Sequence, residues 1–158
     1  MTSTSIGNHT WAVVLAGGDG TQIAGDGRPK QFCRFFEGKS PLDHTRERIA
    51  PICHEDRTLF ALARDHRPFY CDQLANVPDQ RKVAQPANRG TAVAMALCLE
   101  IIARQDEDAL VAFFPSDHHY SNCEAFRSSV EFGLSMMEEY PQSILIVGAD
   151  IRKWSTAG

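Results

Sequence analysis

Short apolar runs alternate with longer amphipathic stretches along most of the chain. The runs fall at residues 11–16, 58–63, 82–84, 109–114 and 143–147. Several are continuous rather than alternating (AVVLA, ALVAFF, ILIV), which suits strands buried on both faces of a parallel sheet. Between them, helical segments are predicted at about residues 42–49, 67–75, 91–104 and 123–139. In the third, Ala92, Met95, Ala96, Leu99, Ile102 and Ala103 recur at helical spacing and predict one apolar face. Strand and helix in this alternation predict right-handed crossovers and an α/β fold, a Rossmann-like three-layer sandwich around a mainly parallel sheet. The polar opening, residues 1–10, reads as a loose N-terminal arm, leaving 11–158 as one domain.

Composition narrows the function classes. A chain of 158 residues, 43% hydrophobic and 23% charged, can bury a core without a disulfide or metal staple. Sixteen Lys and Arg against twenty Asp and Glu give a net charge of −4 with no basic stripe, which argues against nucleic-acid binding. The five cysteines are widely spaced and form no CxxC pair, so neither a disulfide framework nor a structural zinc site is expected. Scattered thiols suit the reducing cytoplasm. Residues 1–10 hold no Lys or Arg and do not predict a signal peptide. No apolar stretch approaches the ~18 residues a membrane helix needs, so no membrane association is expected.

In open parallel sheets ligands bind at the carboxyl ends of the strands, and three such ends carry more than a turn requires. After the first, GGDGT at 17–21 has three glycines in four positions. Such a loop can aim its amides at an anion, phosphate above all, although a flexible turn would have the same composition. It matches neither GxGxxG nor the Walker ending. Next come Arg28, Pro29, Lys30, Gln31 and Phe32, where Pro29 biases Arg28 to an extended backbone. Lys30 is placed to neutralise charge on a leaving phosphate, or is a solvated surface lysine.

After the third strand, QPANRGTA at 85–92 opens the apolar helix. Asn88 is a candidate cap, and Asn, Arg and backbone groups together could read the edge of a base. After the fourth, Asp117 stands at a strand end, poorly placed for the core and well placed for Mg²⁺ held between a carboxylate and substrate oxygens. His118 and His119 are adjacent and point to opposite sides of an extended segment, a poor zinc pair. Cys98 and Cys33 read as packed thiols, and Met136 and Met137 as part of a helix face. No GxSxG elbow or Cys/His pairing points to a covalent nucleophile.

In order, VVLAGGDGT at 13–21, PKQF at 29–32, QPANRGTA at 85–92 and FPSDH at 114–118 resemble the sugar-1-phosphate nucleotidyltransferases, most closely the mannose-1-phosphate guanylyltransferases. The resemblance covers the N-terminal, nucleotide-binding part of that family's domain. It implies transfer of GMP from GTP to mannose 1-phosphate with Mg²⁺ as cofactor, giving GDP-mannose and pyrophosphate. By the same resemblance, Leu15, Ala16, Gly17, Gly18, Gly20 and Thr21 would hold the nucleotide. Lys30 would stabilise the α-phosphate and leaving pyrophosphate, and Asp117 would hold the metal. Gln85, Asn88, Arg89, Gly90 and Thr91 would line the guanine pocket.

Two departures qualify what the resemblance implies. The family's arginine after GxGT is Gln22 here, in a segment shortened before Pro29, and a neutral amide cannot supply a guanidinium's bidentate charge. Its loss is expected to cost ~10²–10³ in rate, by analogy with an oxyanion donor. The family's sugar-binding half is expected after residues 143–147, but the sequence from 148 to 158 does not match it. The activity of this chain alone is therefore left open. A non-catalytic nucleotide-binding paralogue, pairing with itself or with a full-length homologue through an unpaired strand edge, is a second reading. A metal-dependent phosphoesterase, suggested by Asp117-His118-His119, is a third.

Overall fold

The computed structural model describes residues 9–20, 27–35 and 37–148. Four strands, β1 (Thr10–Leu15), β2 (Thr58–Ala63), β3 (Lys82–Gln85) and β4 (Leu110–Pro115), form one sheet in the order β3-β2-β1-β4. Every pair is parallel. The helices are α1 (Pro41–Ile49), α2 (Arg67–Tyr70), α3 (Thr91–Ala103) and α4 (Cys123–Glu139).

Alternation along β1 sorts the core into two layers. Ala12, Val14 and Ala16 face α1, α2 and α4, where Phe32, Leu42, Phe60, Leu62, Leu74 and Leu134 complete a cluster. Trp11, Val13 and Leu15 face α3 and pack with Leu59, Ala61, Val83, Cys98 and Ile102. Both faces of β1 and β2 are thus covered, which explains their unbroken apolar runs. Connections run outward from β1 to β3, then return through α3 to β4 on β1's other side. The carboxyl ends of β1 and β4 therefore flank a topological switch point, the usual ligand position in such sheets.

Local chemistry fixes the element ends. The Ser40 hydroxyl accepts from the Asp43 amide (3.1 Å) and the Asp43 carboxylate accepts from the Ser40 amide (3.0 Å), a reciprocal cap with Pro41 at the first helical position of α1. Asn122 caps α4 through the Ala125 amide (2.9 Å). Thr10 is already part of β1, one residue inside the stretch read as an arm; residues 1–8 lie outside the described residues. The Trp11 indole (2.9 Å) and His9 (2.7 Å) both bond Asp106, holding its carboxyl below the usual carboxylate range.

Three sequence expectations are corrected. Residues 143–147 form no strand: they run beside α4 without a ladder, Leu145 and Val147 lying nearest Gly133, and all four of Ile144, Leu145, Ile146 and Val147 are exposed. The segment at 67–75 is helical only over Arg67–Tyr70. Beyond it the chain coils in turns while Gln73 points inward to the Phe32 carbonyl (2.9 Å) and the Ser40 hydroxyl (2.7 Å). The buried side of α3 is Cys98 and Ile102 with Ala94 and Ile101, whereas Ala92, Ala96, Leu99 and Ala103 are exposed. Apart from Thr91 and Glu100 this helix is apolar on every side, so periodicity alone does not choose the face that meets the sheet. Cys98 is fully buried as expected, and burial pushes its thiol up to about 11, an inert packed position. Cys33 is buried too.

Candidate active site at the carboxyl ends of the strands

A cavity of about 410 Å³ opens at the switch point, framed by the loops that follow β1, β3 and β4. Leu15, Gly17, Gly18 and Gly20, at the end of β1 and in the loop after it, line it. Gln85, Asn88, Gly90 and Thr91, from the end of β3 to the start of α3, line it too, as do Lys30 and Asp117, which stand together. Ala16 is buried beneath, its amide continuing the ladder to the Ala61 carbonyl (2.8 Å). Arg89 is exposed and does not line the cavity; its amide donates to the Gln85 side-chain oxygen (3.3 Å). Thr21 and Gln22 lie outside the described residues. Arg28 does not line the cavity either; its guanidinium lies over the Phe69 ring at 5.7 Å.

The glycines act differently from one another. A Cβ on Gly17 would come within 3.2 Å of the Leu62 backbone, so this residue permits close approach of the β1 and β2 ends. Gly20 alone of the three takes positive φ (45°). The nest expected from all three is therefore narrower than composition suggested. Gln31, to which the motif reading gave no role, holds this loop in place. Its buried amide donates to the Ala16 carbonyl (3.1 Å) and the Gly18 carbonyl (2.8 Å). A glutamine next to a basic motif, followed by an aromatic residue, was the available signal, since such an amide has to find partners once buried.

Asn88 does not cap α3. Gly90 occupies the N-cap with φ 87° and ψ 168°, a region open essentially to glycine alone. Asn88 accepts from the Gly90 amide (3.0 Å) and donates to the Asp19 carboxylate (2.9 Å), tying the loop after β3 to the loop after β1. His66 approaches the other Asp19 oxygen at 3.6 Å. Because nothing lies within 4 Å of a Cβ at Gly90, Gly90→Ala tests backbone strain without a clash. It is expected to cost ~1–3 kcal/mol, read as a lowered midpoint in urea unfolding with an unchanged slope.

Two features give the cavity its chemistry. Lys30 Nζ sits 2.7 Å from Asp117 Oδ2, the two side chains 39% and 26% exposed, so a cation and an anion meet where solvent and ligand can both reach them. Gln85 is 6% exposed and its Nε2 is buried without a hydrogen-bond partner. Such an orphaned donor is uncommon in a folded protein, and it belongs to a residue that lines the cavity. Asp117 is the one carboxylate among the lining residues, and no cluster of three His, Cys, Asp or Glu suited to a metal occurs among the described residues. His118 and His119 are exposed and outside the cavity lining. No helix among the described residues is long and apolar enough to cross a membrane.

Comparison with known proteins agrees with this architecture. A mannose-1-phosphate guanylyltransferase of Escherichia coli is 29% identical over 133 residues, covering 80% of this chain and 28% of its own length. A 2-C-methyl-D-erythritol 4-phosphate cytidylyltransferase of Vibrio vulnificus is 33% identical over 119 residues, covering 63% of this chain and 49% of its own. The chain thus spans about a quarter to a half of the length of these curated relatives. Among solved structures, a mannose-1-phosphate geranyltransferase from Thermus thermophilus superposes with a TM-score of 0.71 at 33% identity, over 83% of this chain and 39% of that one. A mannose-6-phosphate isomerase from Helicobacter pylori shares the fold with a TM-score of 0.65 at 22% identity, over 83% of this chain and 47% of that one. The nucleotidyl transferase family profile matches residues 11–152, nearly the whole sequence: the chain belongs to the nucleotidyl transferase family.

Proposed function

We propose that the cavity binds GTP with Mg²⁺ and serves transfer of GMP to mannose 1-phosphate, giving GDP-mannose and pyrophosphate. The observation that carries this reading is a cavity lined both by the Lys30–Asp117 pair, 2.7 Å apart, and by Gln85, whose Nε2 has no hydrogen-bond partner. A donor lacking an acceptor suits the carbonyl of a base, and a cation beside a carboxylate suits the phosphate end of the same ligand. Guanine rather than another carbonyl-bearing base is supported by the guanylyltransferase relatives.

In the proposed reaction an oxygen of the sugar phosphate attacks the α-phosphorus of GTP, and the bond to the bridging oxygen of pyrophosphate breaks. The side chains assigned here neither form a covalent bond nor need to move a proton, so positioning and charge stabilisation carry the rate. Lys30, set in the single helical turn Lys30–Phe32, offers three donors and a charge to the oxygens on which negative charge grows. Gly18 presents backbone with no side chain between it and the ligand. A lone carboxylate fits a metal ion that takes its remaining ligands from phosphate and water. Mg²⁺, held by Asp117 and the nucleotide, would supply neutralising charge on the phosphate oxygens.

Calorimetric titration with GTP, ATP, CTP and UTP, each with and without Mg²⁺, tests the reading. GTP is expected to bind most tightly and to gain from Mg²⁺. Gln85→Leu, which removes the donor without adding bulk, is expected to weaken GTP binding roughly fivefold to tenfold and to narrow the preference over ATP. Absence of binding by all four nucleotides with Mg²⁺ would refute the proposal, and a preference for CTP would move it to the cytidylyltransferase branch.

A further inference from the structure

Asp117 follows the last residue of β4 by two positions and has no ladder to hold it. The carbonyls of the residues on either side of it, Ser116 and His118, are nevertheless both gripped, and both from α1. Thr45, fully buried, donates its hydroxyl to the Ser116 carbonyl at 3.2 Å. One turn on, Arg48 donates through Nη2 to the His118 carbonyl at 3.2 Å and to the Thr45 hydroxyl at 2.9 Å. The same guanidinium lies 4.6 Å from the Tyr120 ring centre and 5.1 Å from that of Phe126 on α4. These rings pack on each other at 4.5 Å. One side chain thus joins α1, the loop after β4 that carries Asp117, and α4.

This placement is costly in isolation. Burial pulls the Arg48 guanidinium below its ordinary range, and its Nε–H is buried without a partner. An apolar side chain of similar length would cover the two rings without either penalty. Stability alone therefore does not account for an arginine here, whereas reach to a carbonyl does.

We propose that Arg48, acting with Thr45, is a positioning residue that fixes the backbone on both sides of Asp117 and so aims its carboxylate into the cavity. The inference rests on the reading of Asp117 as the group that receives Mg²⁺. Neither α1 residue lines the cavity, so neither is expected to touch the nucleotide. Groups that orient a metal ligand typically change metal affinity by roughly 10–100-fold when removed.

The test is the ratio of GTP dissociation constants without and with Mg²⁺, measured calorimetrically for wild type, Arg48→Met, Arg48→Lys, Thr45→Val and Asp117→Ala. Arg48→Met is expected to keep the metal-free constant within about twofold and to lose roughly tenfold of the Mg²⁺ gain. Arg48→Lys should recover part of that loss, because an ammonium can still reach one carbonyl. A merely structural role would lower the unfolding temperature and leave the ratio alone. Arg48→Met with wild-type ratio and intact fold overturns the inference. Thr45→Val is nearly isosteric and carries the same test should Arg48→Met fail to fold, a wild-type ratio again counting against it. A wild-type protein whose GTP binding gains nothing from Mg²⁺ instead refutes the parent reading of Asp117, and this inference with it.

Discussion

Asp117→Ala is expected to move nucleotide binding in opposite directions depending on the metal. Without Mg²⁺ the carboxylate is a liability to a triphosphate, since it repels the ligand and occupies Lys30 at 2.7 Å. Its removal frees the ammonium donors, and metal-free GTP should bind several-fold more tightly. With Mg²⁺ the same substitution takes away the carboxylate proposed to hold the ion, and any gain that the ion gives wild type should vanish. Lys30→Met should do the converse. It leaves the acid unpaired beside the phosphates, so metal-free affinity should drop by roughly 10–100-fold, the worth of one or two charge-assisted hydrogen bonds. Much of the relative gain from Mg²⁺ should survive.

Because both groups are partly exposed, the contrast is sharpest at low ionic strength and narrows as salt screens the pair. Calorimetry of both variants with GTP at about 20 mM and about 200 mM salt, between which the screening length falls from about 20 Å to about 7 Å, reads all of this. Equal loss in both variants, with and without the ion, would mean that the ion pair props the loop rather than meets the ligand.

How much of this was legible beforehand follows from the range of the interactions involved. The four strands could be read because burial on both sheet faces leaves continuous apolar runs, and each begins and ends within one residue of its expected bounds. The run at 143–147 has the same composition, yet a strand exists only when a neighbour supplies a ladder, and composition carries no information about neighbours. Helix α3 shows the same limit: its apolar residues encircle it, so which of them is buried is decided by the sheet. Lys30, Gln85 and Asp117 were visible because motifs mark local backbone and charge. Gln31, Thr45 and Arg48 were not, since what they do is satisfy carbonyls brought near by the fold, in the case of Thr45 one 71 residues away. Only the three-dimensional arrangement tells a solvated arginine from one laid against a pair of rings.

The largest loss of stability is expected from Phe32→Ala. Phe32 is fully buried and packs its ring edge-on to His66 at 5.9 Å and against Tyr70 at 6.2 Å, joining the loop after β1 to the segment after β2. Truncating such a ring costs ~3–5 kcal/mol, because the lost transfer energy is compounded by an unfilled cavity. For a domain of this size that lowers the melting temperature by roughly 6–20 °C, measurable by circular dichroism. The loss should extend to binding. Lys30 and Gln31 belong to the same single turn, whose ends are tied by the Phe32 amide to the Pro29 carbonyl (3.0 Å) and the Phe32 carbonyl to Gln73 (2.9 Å). With the ring gone, that turn loses its anchor, and the ammonium and the loop-holding amide lose their registration together. Phe32→Leu keeps most of the volume and should recover most of the stability and, with it, the rise in melting temperature that saturating Mg²⁺ and GTP confer on wild type. A Phe32→Ala protein that melts within about 2 °C of wild type would show that the site can collapse around the missing ring, and that the turn is held by its hydrogen bonds rather than by its core contact.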